Sequence, residues 1–125
     1  MMDAALIVQR QLDAYNAKDL PALLATYSPR AEHHTLHGGL LAQGHEALAE
    51  RFKARFAEPD LHARLLTRSV VGQMVVDVEQ VTRNLPQGPA VVELLCVYEV
   101  RDGLIHKASF HMGATRWLAP SPEAA

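Results

Sequence analysis

Residues 91–112 read VVELLCVYEVRDGLIHKASFHM. This stretch predicts two long strands joined by a tight turn at Arg101-Asp102-Gly103. Residues 91–100 are rich in Val, Leu and Tyr, which suit a half-buried pleated surface. Asp102-Gly103 is a hairpin signal, because Gly takes positive φ without steric cost and Asp tolerates it better than most. Residues 104–112 then run back. The hairpin is expected in the middle of a curved antiparallel sheet. The chain before it should supply the remaining strands and the helices that close over them.

Immediately upstream, 61–71 and 74–83 read as two further strands with Gly72-Gln73 at their turn. The second alternates. Val76, Val78, Gln80 and Thr82 point one way; Asp77, Glu79, Val81 and Arg83 point the other. Asp77 and Glu79 could serve as a paired acid and base. With Val76 and Val78 taken inward, they point instead to solvent or to a partner subunit. Residues 84–89 (NLPQGP) are expected to be a loop.

The first half of the chain is helical in pattern. Over 3–17, Asp3 is a plausible N-cap, and Val8, Leu12 and Tyr15 share one face with Ala4, Ala5 and Gln11 beside them. Asp19 can cap a second short helix with Pro21 in its first turn. Leu20, Leu23, Leu24 and Tyr27 give it an apolar face, and Ser28-Pro29 should end it. Residues 32–37 (EHHTLH) suggest a strand, bent or ended by Gly38-Gly39. A third helix is expected over 44–57, where Leu48, Phe52 and Phe56 repeat every four residues and Pro59 stops the run. The expected order is helix, helix, strand, helix and four strands. Helices segregated from an antiparallel sheet mean the α+β class. Three helices of the N-terminal half on a strongly curved sheet can make a cone with a cavity at its wide end.

The 125 residues suit a single domain, expected over 1–118. Residues 119–125 (APSPEAA) form a Pro- and Ala-rich tail expected to fray. A formal charge of -2 gives no electrostatic reason to expect nucleic acid or an anionic membrane as partner. No run is apolar enough for a membrane span. The single cysteine, Cys96, excludes an intramolecular disulfide and fits a reducing compartment. Asp3 stands where a signal peptide would be basic, and a cytoplasmic protein is expected.

The densest ionisable cluster is His33, His34 and His37. Imidazole titrates near neutrality and is the commonest general acid or base, although a solvated strand of histidines would look the same. No metal site is expected. Histidines two apart on one strand face, about 6.6 Å along the chain, would be the natural chelating pair, and that spacing is missing. Tyr15 or Gln11 on the first helix could hydrogen-bond a ligand oxygen. Phe52, Phe56, Val78, Phe110 and Met112 should line any cavity, with Gln80 making its mouth polar. Phe110 and Met112 are placed inward, which leaves His111 outward. Cys96 reads as an inert core thiol. No Gly-rich phosphate loop or Ser nucleophile motif is present, and no cofactor is expected.

Residues 9–27 (QRQLDAYNAKDLPALLATY), 43–48 (QGHEAL) and 97–105 (VYEVRDGLI) carry a resemblance. Together, over roughly 4–113, the chain resembles the nuclear transport factor 2-like superfamily, which includes ketosteroid isomerases and SnoaL-type polyketide cyclases. The resemblance implies a cone-shaped α+β barrel, paired as a homodimer through the outer sheet face. It also implies an apolar pocket between helices and sheet. A ketosteroid isomerase uses an Asp base and an oxyanion hole of a Tyr and a protonated Asp. Aligned on residues 16–20, the Tyr position falls on Gln11, the base position on Thr35 or His34, and the protonated acid near Cys96. None of the three residue types is kept. The expectation is a cofactor-free acid/base enzyme, of isomerase, cyclase, dehydratase or hydratase type, acting on a small apolar cyclic or carbonyl compound. His33 or His34 would move the proton, and Tyr15 or Gln11 would hold the oxyanion. A dimeric module that only binds such a ligand is the alternative.

Overall fold

The computed structural model describes residues 3–118, so the expected fraying of 119–125 lies outside the described residues. Three helices and six strands follow the order α1 (Ala4–Asn16), α2 (Leu20–Ala25), β1 (Tyr27–Thr35), β2 (Leu40–Gln43), α3 (Gly44–Phe56), β3 (His62–Val71), β4 (Met74–Leu85), β5 (Gly88–Arg101) and β6 (Leu104–Trp117). They form one mixed α+β unit. Its open six-stranded sheet runs β2-β1-β6-β5-β4-β3, so the β5–β6 hairpin lies at the centre.

The local chemistry explains most boundaries. The Asp3 carboxylate accepts from Ala5 N at 3.0 Å, and that of Asp19 from Ala22 N at 3.1 Å, capping α1 and α2. Between them Lys18 adopts φ 54°, which reverses the chain so that α2 can pack on α1. Glu46 sits in the first turn of α3 and Lys53 and Arg55 in its last, the signs the helix dipole favours. At the central hairpin Asp102 and Gly103 have φ of 53° and 75°, the two positive values a type I′ turn requires.

Four features depart from the sequence reading. Tyr27, Ser28 and Pro29 begin β1 rather than ending α2. The irregular pairing of β1 with β6 between Tyr27 and Glu32 accommodates a proline that cannot donate to a ladder. β2 is an added short edge strand, paired antiparallel to β1. The β1–β6 pairing itself is parallel, so the sheet is mixed. The expected loop over 84–89 is a tight hairpin: Leu85 pairs with Gly88 around Pro86-Gln87.

That last hairpin fixes which face of β4 is inside. Asp77 lies opposite Cys96, Glu79 opposite Leu94, Val81 opposite Val92 and Val75 opposite Tyr98. Residues directly opposite share a face, and this one packs under the helices. Val75, Asp77, Glu79 and Val81 are all buried, while Val76, Val78 and Gln80 lie on the other face and are only partly covered. The inward assignment of Val76, Val78, Gln80 and Thr82 is thus reversed. The valines gave no guide, because each face of the strand carries two.

The core fills the space between helices and sheet. One cluster joins Val8, Leu23, Tyr27, Leu48, Phe52, Val75, Tyr98 and Ile105; a smaller one joins Leu12, Leu61, Ala63 and Val81. Tyr15, Phe56 and Leu94 pack against both. No described helix is long and apolar enough to cross a membrane.

Candidate functional site

A cavity of about 480 Å³ opens between α1, α3 and the concave sheet face, within the usual range for small-molecule sites. α1 contributes Gln11, Leu12 and Tyr15; α3 contributes Arg51, Phe52 and Arg55. The sheet contributes His33, Thr35, Glu79, Val81, Arg83, Val92, Leu94, Cys96, Tyr98 and Phe110. Exposed Leu36, His37, Leu41, His111 and Met112 rim the mouth, where the His37 and His111 rings meet edge to face at 5.3 Å.

The helical spacing of α1 and α3 sets the wall. Gln11 and Tyr15 are four apart, as are Arg51 and Arg55, and each pair shares a face. Phe52 meets His33 edge-on at 5.3 Å, and Phe110 meets His33 at 4.9 Å. Phe56 does not line the cavity. It stands behind Tyr15 and Phe52, with ring centroids at 5.8 and 6.2 Å.

The polar groups form two sets. In the first, Arg51 Nε donates to His33 Nδ1 at 3.4 Å, and His33 Nε2 lies 3.2 Å from the Tyr27 hydroxyl. Tyr27 is also hydrogen-bonded to Gln11, whose Oε1 accepts from the Tyr98 hydroxyl at 3.4 Å. Burial, then the Arg51 and His34 charges, push His33 down to about 3. It is therefore a neutral imidazole at physiological pH. With Nδ1 accepting from Arg51, the ring proton sits on Nε2. Burial keeps Tyr15 and Tyr27 protonated by pushing both phenols up.

The second set lies along β4. Arg68 grips Asp77 with two bonds, Nε to Oδ1 at 2.7 Å and Nη2 to Oδ2 at 2.9 Å, and Arg68 also reaches Gln9. Glu79 has no such partner. It is 4% exposed, hydrogen-bonded to the Cys96 thiol, and pushed up to about 7 by burial and by the nearby Asp77, with Arg68 acting in the opposite direction. Cys96 is pushed up by burial and by Glu79, which leaves it an inert thiol.

Of the residues singled out in the sequence, Gln11, Tyr15, His33, Thr35, Phe52, Cys96, Phe110 and Met112 border the cavity. His34 does not. Its Nε2 lies 2.6 Å from Glu32 Oε1, away from the cavity. Val78 and Gln80 sit on the opposite side of the sheet. His111, expected outward, is exposed but reaches the rim. The carboxyl that enters the cavity, Glu79, lies on the face of β4 that the sequence alternation assigns to the outside, and Arg51 and Arg83 join it there without being expected from the sequence. Two signals could have found Glu79. One is the pairing of residue numbers about a two-residue turn at 86–87. The other is Arg68, placed opposite Asp77 by the Gly72-Gln73 turn. Among the described residues no cluster of three His, Cys, Asp or Glu side chains could hold a metal ion.

This geometry matches known proteins along almost its whole length. The SnoaL-like domain model matches residues 8–108. An uncharacterised cystatin-fold protein from Novosphingobium aromaticivorans superposes with a TM-score of 0.81 at 23% identity, over 89% of this chain and 99% of that one. Bal32a, from a soil-derived mobile gene cassette, gives 0.77 at 22%, over 87% and 88%. A putative polyketide cyclase from Sinorhizobium meliloti gives 0.73 at 24%, over 88% and 100%. No curated protein matches. The solved structures share the cone-shaped fold, and the family match extends over most of the sequence. The chain belongs to the SnoaL-like domain family.

Proposed function

We propose that the protein is a cofactor-free acid/base enzyme acting on a small, mostly apolar carbonyl compound, with Glu79 as the group that moves the proton. The observation that carries this reading is the position of Glu79: a carboxyl in an apolar cavity, held at about 7. A base with a pKa near working pH balances availability against driving force. His33, about four units below neutrality, has little tendency to take up a proton and acts instead as a neutral N–H donor in the wall. Tyr15, kept protonated by burial, supplies a hydrogen bond to the developing oxyanion. The likeness to a putative polyketide cyclase supports enolate-type chemistry. A homodimer belongs to this reading, supported by the exposed Leu66, Val70, Val71 and Met74 at the β3–β4 end of the sheet. A cytoplasmic location is supported by the free, buried Cys96.

One observation favours a pure binding module. Among the described residues, every buried side-chain nitrogen and oxygen already has a hydrogen-bond partner. Such walls are chemically quiet. Deuterium exchange at the α-carbon of 2-tetralone in D₂O separates the two readings. The enzyme reading expects exchange faster than buffer, rising with pH through about 7 and lost in Glu79→Gln. Bound ketone with no acceleration would establish the binder.

A further inference from the structure

Three arginines border the cavity, and two of them share one carboxylate. Arg83 is bidentate on Glu58 at 2.8 and 3.0 Å, and Arg55 reaches the same carboxylate at 3.4 Å. Arg51 has no carboxylate within ion-pair distance among the described residues. Its Nε is directed at a neutral ring, His33 Nδ1, at 3.4 Å, a long contact that leaves most of the guanidinium's donors for other partners.

Arg51 is also in an unfavourable setting. Arg55 stands one turn along the same face of α3, and like charges at that spacing repel. Burial and Arg55 both push the Arg51 guanidinium down, yet a guanidinium stays charged. The wall beside it is aromatic: Phe52, His33 and Phe110. The helix side of the cavity thus presents an uncompensated cation, while the sheet side presents Glu79 among Val81, Val92 and Leu94.

We propose that Arg51 anchors a carboxylate on the ligand, so that the cavity prefers a small aromatic or alicyclic carboxylate to its neutral counterpart. A planar guanidinium matches a carboxylate with two parallel bonds, and burial strengthens the pair. A ligand held this way by its charged end on α3 directs its apolar end toward the sheet wall that carries Glu79. The inference rests on reading the cavity as a small-molecule site, and adds to it a charged end for the ligand.

The test compares 2-naphthoate with methyl 2-naphthoate, binding measured by calorimetry at pH 8 to the wild type, Arg51→Met and Arg51→Lys. The wild type should bind the acid at least about tenfold more tightly than the ester, the scale of one charge-assisted bond. Arg51→Met should erase that preference and leave ester affinity within about twofold of wild type. Equal affinities in the wild type would overturn the proposal. So would a preference that survives Arg51→Met, or failure of both probes to bind at millimolar concentration. Should Arg51→Met not fold, Arg51→Lys decides: a reduced preference supports the proposal, and an unchanged one overturns it. Glu79 titrates without any ligand, so equal affinities for acid and ester in the wild type alongside a Glu79 midpoint of about 7 would remove this inference alone.

Discussion

Asp77 and Glu79 enter the same buried face of β4 two residues apart, but only Asp77 meets a guanidinium. The nearby charge of Asp77 helps to raise Glu79, and Arg68, already engaged, only partly offsets it. The consequence for stability has a definite sign. Glu79 binds its proton more tightly folded than unfolded, so its contribution is favourable at low pH and is lost as pH rises from about 4.5 to about 7. A shift of that size corresponds to roughly 3 kcal/mol. Glu79→Gln should therefore be more stable than the wild type at pH 8, by up to about 3 kcal/mol, and no more stable at pH 4. Urea melts across that range check it.

His33 acts in the opposite direction. Its folded pKa is about 3 against 6.5 for the free side chain, so the unfolded chain takes up the proton first and stability falls as pH drops below 6.5. Between about 4.5 and 6.5 the two groups oppose each other, and their joint contribution to the wild-type profile should be nearly flat there. Glu79→Gln should expose a rise with pH across that window, and His33→Gln a fall. Identical slopes in both variants would show that neither group titrates as described.

Removing Arg68 leaves the Asp77 carboxylate, which is 0% exposed, without its partner. Breaking a buried pair from one side costs about 3–5 kcal/mol. Arg68→Met should lose that much at pH 7, and Glu79 should titrate still higher. The double variant Arg68→Met/Asp77→Leu should recover most of the stability, because no unpaired charge remains.

Asn16 stitches α1 to β3. Its Nδ2 donates to Ala63 O at 2.9 Å, and its Oδ1 accepts from Ala63 N at 2.8 Å, the pairing a neighbouring strand would make. Asn16→Ala leaves both backbone groups of Ala63 without these partners and should cost about 2–3 kcal/mol. Asn16→Asp keeps both an acceptor and an O–H donor while its carboxyl is protonated and loses the donor on ionisation, so it should cost less than Asn16→Ala at pH 3.5 and lose much of that advantage at pH 7. Thermal melts at pH 3.5 and 7 distinguish the two.

The parts of this fold that were legible are those where one residue type has one structural use. Asp3 and Asp19 cap helices, Asp102-Gly103 turns a hairpin, and Leu48, Phe52 and Phe56 keep one helical face. What the sequence reading missed was register. The sequence leads to the expectation of both Val78 and Cys96 in the pocket, yet β4–β5 pairing puts Val78 opposite Leu95 and Asp77 opposite Cys96. The two placements exclude each other once the turn at Pro86-Gln87 is known, and NLPQGP looks like a loop rather than a tight turn. A one-residue error on a strand exchanges its faces. Here it exchanges Glu79 for Val78 and Gln80 and leaves the histidines of β1 as the densest ionisable group in view. Their sequence shows neither the burial that neutralises His33 nor the Glu32 contact that holds His34 away.

The most direct test is the ionisation of Glu79 itself. The side-chain carboxyl of Glu79 can be followed by carbon NMR in the ¹³C-labelled protein from pH 4 to 9, with Glu79→Gln identifying the signal. The expected midpoint is about 7, more than two units above an ordinary glutamate. A midpoint near the ordinary glutamate value would contradict it. Glu79 would then be a plain carboxylate at neutral pH, and the cavity would have no group matched to moving a proton there.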